Sequence, residues 1–322
     1  TLAESLTGIN PLVLKWAREQ MGLSPEDVAV RLKKDAEKII EWEKGASAPT
    51  YCQLESLAYT IYKRPIAVFF FPEPPEEPDP KDSFRTLPDF EMNQLQPKTF
   101  FAIRKAMARQ LAIGELTNGT NPSKNQIFKD IRINARGSIA KYAESIRAYL
   151  GIDMTMQKAW KTTEDALKKW RNAIEDKGIF VFKESKRVIQ EDISGFCLHD
   201  DEFPVIYVNN SNAKSRQIFS IFHELSHLLM GINGISKVDF RSVDYLDPQN
   251  REMEVFCNRL SAEILLPEVE FLKLPVLRNH NQEMVRKTAN RYKVSREFIL
   301  RRLLDKGIIS QEEYQDKHER EV

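Results

Sequence analysis

Between Phe71 and Pro80 the chain reads FPEPPEEPDP, five prolines set among acidic residues. Each proline fixes φ and lacks a backbone N–H, so this stretch fits neither a helix interior nor a central strand and is expected to run extended over the surface. A chain interrupted in this way must divide. With 322 residues it is long enough for two or three domains that each bury a core of their own. The divisions expected are a helical module over residues 1–70, a proline-rich linker over 71–87, a larger domain over 88–270 and a C-terminal helical element over 271–322.

In the larger part, apolar residues recur at helical spacing between Pro97 and Lys177. Thr163 to Lys177, for example, places Ala166, Leu167, Trp170 and Ile174 on one face and stops at Gly178. The pattern then changes. Ile179–Phe182, Ile193–Leu198 and Pro204–Val208 are short apolar or alternating runs between polar turns, which predicts a small sheet. Beyond Asn209 the polar stretch NNSNAKSRQ offers several helix N-caps and leads into IFSIFHELSHLLM, a helix apolar over most of its surface. The fold class that follows is α+β, mainly helical.

Within that helix His223 and His227 lie four residues apart, so both imidazoles leave the same face and can share one metal ion, with Glu224 alongside. The geometry suits tetrahedral Zn2+, which lowers the pKa of bound water to about 7 while a neighbouring carboxylate takes the proton. Glu224 is the candidate general base. A hydrolytic zinc needs a third protein ligand and an open position. Glu254, on the helix predicted for REMEVFCNRLSAEILLP, is the candidate; Glu252 has the same chemistry but points about 200° away around a helix, so only one of the two can face the site. His199 and His280 stand alone and read as solvated or core histidines, and Cys257 on an apolar helix reads as packing. By chance alone HELSH would be two satisfied core histidines and a surface glutamate; metal spacing on a strongly apolar helix, between strands and an acidic helix, favours the site.

These residues resemble the ImmA/IrrE family of metallopeptidases, in which an HExxH helix is followed by a glutamate-led stretch ending in proline. That stretch appears here as Glu254, Cys257, Asn258, Leu260, Ser261, Leu265, Leu266 and Pro267. Cysteine stands for alanine, leucine for phenylalanine and serine for alanine; the proposed ligand and the polar positions are kept. RPIAVFFFPEPPEE, Arg64 to Glu77, resembles the linker of members that carry an N-terminal helix-turn-helix. The resemblance implies a zincin-like peptidase domain that cleaves a transcriptional repressor or antitoxin in stress response or mobile-element regulation. It carries over His223, His227 and Glu254 as zinc ligands and Glu224 as catalytic base.

Residues 22–61 in turn look like an Xre-type helix-turn-helix, with Ala29, Ile39, Trp42, Leu54 and Leu57 as its core. The helix expected near Asp35–Lys44 would enter the major groove. Lys33, Lys34, Lys38 and Lys44 are the candidate DNA contacts, opposed by Asp35, Glu37, Glu41 and Glu43. Residues 282–309 repeat a helix-turn-helix-like pattern with a basic face, which reads as a packing element with a solvated side.

Forty-eight basic against 47 acidic residues give a formal charge of +1, so no global excess draws the protein to nucleic acid or anionic membrane. Cys52, Cys197 and Cys257 are odd in number and lack a CxxC pair, which fits a reducing compartment. No apolar run reaches the length of a membrane helix and no leader pattern opens the sequence, so a cytoplasmic enzyme is expected. The rival reading is a DNA-binding regulator whose peptidase-like domain senses a signal or holds a partner without cleaving it. Cleavage of the chain itself near the linker is a third possibility.

Overall fold

The structure, a computed structural model, describes residues 5–77, 96–184, 193–237 and 248–319. The chain separates into two compact units, Thr1–Lys105 and Ala106–Val322. It is α+β and mainly helical, with one four-stranded mixed sheet among the described residues. No helix in those residues is long and apolar enough to cross a membrane.

The first unit opens with three short helices: α1 (Pro11–Glu19), α2 (Pro25–Leu32) and α3 (Ala36–Glu43). Their ends follow from local chemistry. Ser24 and Asp27 close a reciprocal capping box at the start of α2, and Lys33 leaves it in the left-handed region at φ 54°. Helix α4 (Tyr51–Glu55) starts with a second capping box, Thr50 with Gln53, and runs on as a π-helical turn, Ser56–Ile61. All five expected core residues, Ala29, Ile39, Trp42, Leu54 and Leu57, are buried. The helix anticipated over Asp35–Lys44 is α3.

Glu43 takes a part that its sequence context does not announce. Both its carboxylate oxygens accept from Arg18, Nε at 2.7 Å and Nη2 at 2.9 Å, while Arg18 Nη1 donates to the Leu23 carbonyl at 2.7 Å. The hydrogen bond that Arg18 donates to Glu43 raises the Arg18 pKa against the lowering effect of burial. Glu43 is thus a strut rather than a surface charge. Residues 71–77 carry no regular structure, and Glu77 pairs through both oxygens with Arg64 at 2.7 and 2.8 Å. The rest of the expected linker, 78–87, lies outside the described residues.

Helix α5 (Pro97–Leu116) is followed in the second unit by α6 (Ile127–Asp130), α7 (Ile139–Leu150), α8 (Met154–Ala159) and α9 (Thr163–Glu175). Helix α9 buries the expected Ala166, Leu167, Trp170 and Ile174. The sheet comprises β1 (Phe180–Glu184), β2 (Ile193–Leu198), β3 (Val205–Asn209) and β4 (Gly234–Lys237), in the order β1-β3-β2-β4. Strand β1 runs parallel to β3, and β2 is antiparallel to both β3 and β4. Three strands were expected; β4 escapes because four residues are too few to show a period.

Helix α10 (Lys214–Leu229) packs on the sheet, and α11 (Pro248–Leu265) packs on α10. The N-caps offered by the polar stretch are not used: the cap is Ala213, without a side-chain hydrogen bond, and Gln217 Nε2 instead donates to the Asn210 and Asn212 carbonyls. Trp170 stands edge-on to Phe222 at 4.8 Å beneath α10. The buried Arg147 of α7 donates to the Ile264 carbonyl at 2.7 Å and to Gln157 at 2.8 Å, tying down the end of α11. The chain continues through α12 (Glu268–Phe271), α13 (Gln282–Tyr292), α14 (Arg296–Asp305) and α15 (Gln311–Glu319). The basic face anticipated here is partly neutralised: Lys287 pairs with Glu283, Arg301 with Asp305 and Arg302 with Glu263.

Candidate metal centre

From Ser220 to Leu229 every residue of α10 is buried, because the sheet covers one side and α11 another. Burial dries the helix but leaves its two histidines facing one point. His223 Nε2 and His227 Nε2 are 3.0 Å apart, and Glu254 reaches both, Oε2 to His223 at 3.1 Å and Oε1 to His227 at 3.2 Å. The donor atoms of these three residues all lie within 4.8 Å of one another, the one such group among the described residues. The structure therefore brings His223, His227 and Glu254 together, and Glu252, the alternative, is exposed on another side of α11.

Asn258 reads in the sequence only as a polar position, yet it orients the site. Its Oδ1 lies 3.0 Å from His223 Nδ1. An amide oxygen can only accept, so His223 Nδ1 donates to it, and Nε2 is the ring nitrogen turned to Glu254. The signal was present: Asn258 follows Glu254 by four residues and shares its helix face. Two glycines also escaped notice. A Cβ on Gly234 in β4 would stand 2.6 Å from the His227 ring, and one on Gly195 in β2 would stand 2.7 Å from the Tyr207 carbonyl oxygen and 3.7 Å from Glu224. Backbone of β2 and β4 thus lies directly against the motif side chains.

Glu224 is fully buried and contacts Cys197 of β2. Burial would raise the Glu254 carboxyl, but His227 and His223 outweigh it and hold the group well below the usual carboxylate range. Burial would likewise lower His227, yet Cys257 and Glu254 raise it well above an ordinary histidine. Two imidazoles and a carboxylate in mutual contact, nearly closed to water, call for one positive charge at their centre. Neutral imidazole nitrogen and carboxylate oxygen are donors that suit Zn2+, and three protein donors leave a fourth position open. The residues present fit the ion.

The other histidines stay apart. The His199 backbone bonds to Asn233, and His280 pairs with Glu313 at 3.2 Å. Lys33, Lys34 and Lys44 are exposed in the first unit, and Lys38 is half-buried and paired with Glu41 at 2.7 Å.

A dry HExxH helix laid on a mixed sheet, with a carboxylate delivered from the next helix, defines a metallopeptidase-like domain. Residues 174–304 match the family Peptidase M78, described as the IrrE N-terminal-like domain, which supports the kinship with ImmA/IrrE proteins. The matched span holds the whole sheet together with α10 and α11 and ends in α14. Peptidases of this family are in general zinc-dependent. No curated protein matches the chain.

Proposed function

We propose that the protein is a zinc-dependent endopeptidase that cleaves a protein partner, a helix-turn-helix repressor or antitoxin. The observation that carries this reading is Glu254 meeting both motif histidines while Glu224 sits buried on the same helix. Zn2+ held there supplies a Lewis acid for the scissile carbonyl and brings the pKa of water to about 7.

The rest is done by the chain. His223, His227 and Glu254 would hold the ion, and Asn258 fixes the His223 ring. Glu224 takes a proton at its carboxylate from the attacking water and hands it to the leaving amine nitrogen. Its dry surroundings strengthen both interactions, because opposite charges attract more strongly in a low dielectric. Among the described residues β4 is the last strand in the sheet order, beside His227, and an extended substrate pairing along its outer edge would present a peptide bond to the centre. The test is metal content and cleavage of co-expressed helix-turn-helix proteins, for wild type and Glu224→Gln. Metal in both with cleavage only by wild type is expected; metal in both with no cleavage by wild type refutes the peptidase.

A regulatory reading draws on the first unit, where Lys33, Lys34 and Lys44 are exposed around the α2–α3 turn and the end of α3. The Arg18 bond removes Glu43 from the acidic residues that oppose DNA, and Glu41 is paired with Lys38, although Asp35 and Glu37 remain exposed. In this reading the first unit brings the enzyme to DNA where a repressor sits. Binding of duplex DNA that weakens with salt and is lost in Lys33→Glu/Lys34→Glu supports it; binding unaffected by that variant removes it.

A further inference from the structure

Further along α11 from the metal centre, an open cavity of about 630 Å³ runs between α7, the start of α8 and the corner from α11 to α12. Glu263, which lines it, lies about 13 Å along α11 from Glu254. Three alanines of α7, Ala140, Ala143 and Ala148, leave the room, and Ile152 and Val269 give apolar walls. Arg147 also lines it and is only 7% exposed. Its Nη1 donates to the Ile264 carbonyl and to Gln157, but Nη2 and Nε donate to nothing, and no carboxylate pairs with it among the described residues. Other arginines of the chain show what that edge holds. Arg18 likewise gives Nη1 to a main-chain carbonyl, that of Leu23, and closes Nε and Nη2 on the two oxygens of Glu43. Arg171 presents the same edge to Glu175. Arg147 thus repeats the Arg18 arrangement without its carboxylate. Burial pulls the Arg147 pKa down to about 10, with Asp153 opposing, so the group is still a cation at pH 7.

We propose that this cavity binds a free α-amino acid with an apolar side chain. The inference goes beyond the peptidase reading and does not depend on it. The open edge of the Arg147 guanidinium takes the carboxylate through two parallel bonds, the pairing its fork shape favours. The α-ammonium meets the acids that line the same cavity. Glu144 is exposed one turn before Arg147 on α7, and Asp153 spends one oxygen on the Met156 amide. Glu263 is already taken, since it pairs with Arg302 and accepts from the Glu268 amide. Glu144 and Asp153 repel a plain anion such as phosphate and favour a molecule that carries both charges. Its side chain lies on the apolar walls, as in other small-molecule sites. Because Nη1 of the same guanidinium holds the Ile264 carbonyl, a bound amino acid also braces the end of the helix that carries Glu254.

The test is a ligand-observed NMR titration of the full-length protein with L-leucine, L-methionine and L-phenylalanine. Leucinamide, which lacks the carboxylate, 4-methylpentanoate, which lacks the ammonium, and inorganic phosphate are titrated beside them. Binding of at least one amino acid is expected. For leucine the two analogues should bind about tenfold or more weaker, since each loses one charge-assisted contact. Binding should be lost in Ala148→Trp, whose site is exposed, so that the ring fills the cavity without entering the core. Four results overturn the proposal. They are no binding of any of the three amino acids up to about 10 mM, equal affinity for the amino acid and either analogue, displacement by an equal concentration of phosphate, and unchanged affinity in a folded Ala148→Trp.

Discussion

Asn258→Ala tests the construction of the metal centre more sharply than loss of a ligand would. The substitution leaves His223, His227 and Glu254 in place and removes only the acceptor 3.0 Å from His223 Nδ1. His223 is 4% exposed, but Asn258 is half-buried and lines a cavity, so a less fixed water is what can replace the lost oxygen. The ring gains rotational freedom, and the tautomer that turns Nε2 inward loses its bias. Outer partners of ligating histidines typically contribute a factor of about 10–100 in metal affinity, or roughly 1.4–2.7 kcal/mol. The expected result is zinc affinity weaker by about tenfold or more in competition with a chromophoric chelator. Melting temperature without metal should change less than melting temperature with zinc in excess, because the loss lies mainly in the bound state. Asn258→Asp, which keeps an acceptor at the same place, should retain most of the affinity. If Asn258→Ala folds and binds zinc within twofold of wild type, then His223 is oriented by something other than Asn258.

Three further outcomes can be checked independently. Gly234→Ala forces a methyl group to within 2.6 Å of the His227 ring; overpacking of this kind costs about 1–3 kcal/mol, and a lower melting temperature with reduced zinc retention is expected. Glu43→Ala strands the buried Arg18 guanidinium, and the first unit should lose about 3 kcal/mol in denaturant titration; no measurable loss would mean that the pair is no strut. Tyr292→Phe removes the hydroxyl that donates to Glu270 at 2.6 Å. Hydrogen bonds from Tyr292 and then Lys158 lower the Glu270 pKa, so its contribution is present above the unfolded value near 4.5 and is lost as pH falls through the lower folded one. The variant should be less stable than wild type by about 1 kcal/mol or less at pH 7, and the gap should close in acid; a gap that widens below pH 4 refutes the linkage.

The parts legible in the sequence were those that repeat. Helix α9 was readable because four apolar residues mark one face, and α10 because its apolar surface surrounds a metal-spaced pair. Helical periodicity allowed only one of Glu254 and Glu252 to face the site, the family resemblance favoured Glu254, and the structure places Glu254 at the histidines. The parts that were missed depend on partners distant in sequence. Glu43 looks like surface charge until Arg18 of α1 is seen against it. Gly234 looks like a loop residue until β4 is laid beside His227. The starting cap of α10 fails for a related reason: Asn209 spends its side chain on the Ile193 carbonyl and the Ser211 amide, so it is not free to cap the helix.

Cys257 poses the last question, since a thiol beside zinc ligands can close a site. Three protein ligands leave a position for water, and four would not. Its position keeps Cys257 out. Its Sγ lies 3.9 Å from His227 Nδ1, and Nδ1 is on the edge of the ring away from the Nε2 that meets Glu254. The sulfur therefore works as a small apolar group packed behind His227. Cys257→Ala should cost about 1 kcal/mol of stability for the vacated volume and leave zinc affinity within about twofold, unlike the loss of tenfold or more expected for Asn258→Ala. A tenfold fall in zinc affinity for Cys257→Ala would instead place the thiolate on the metal, close the open position and remove the geometric basis for hydrolysis.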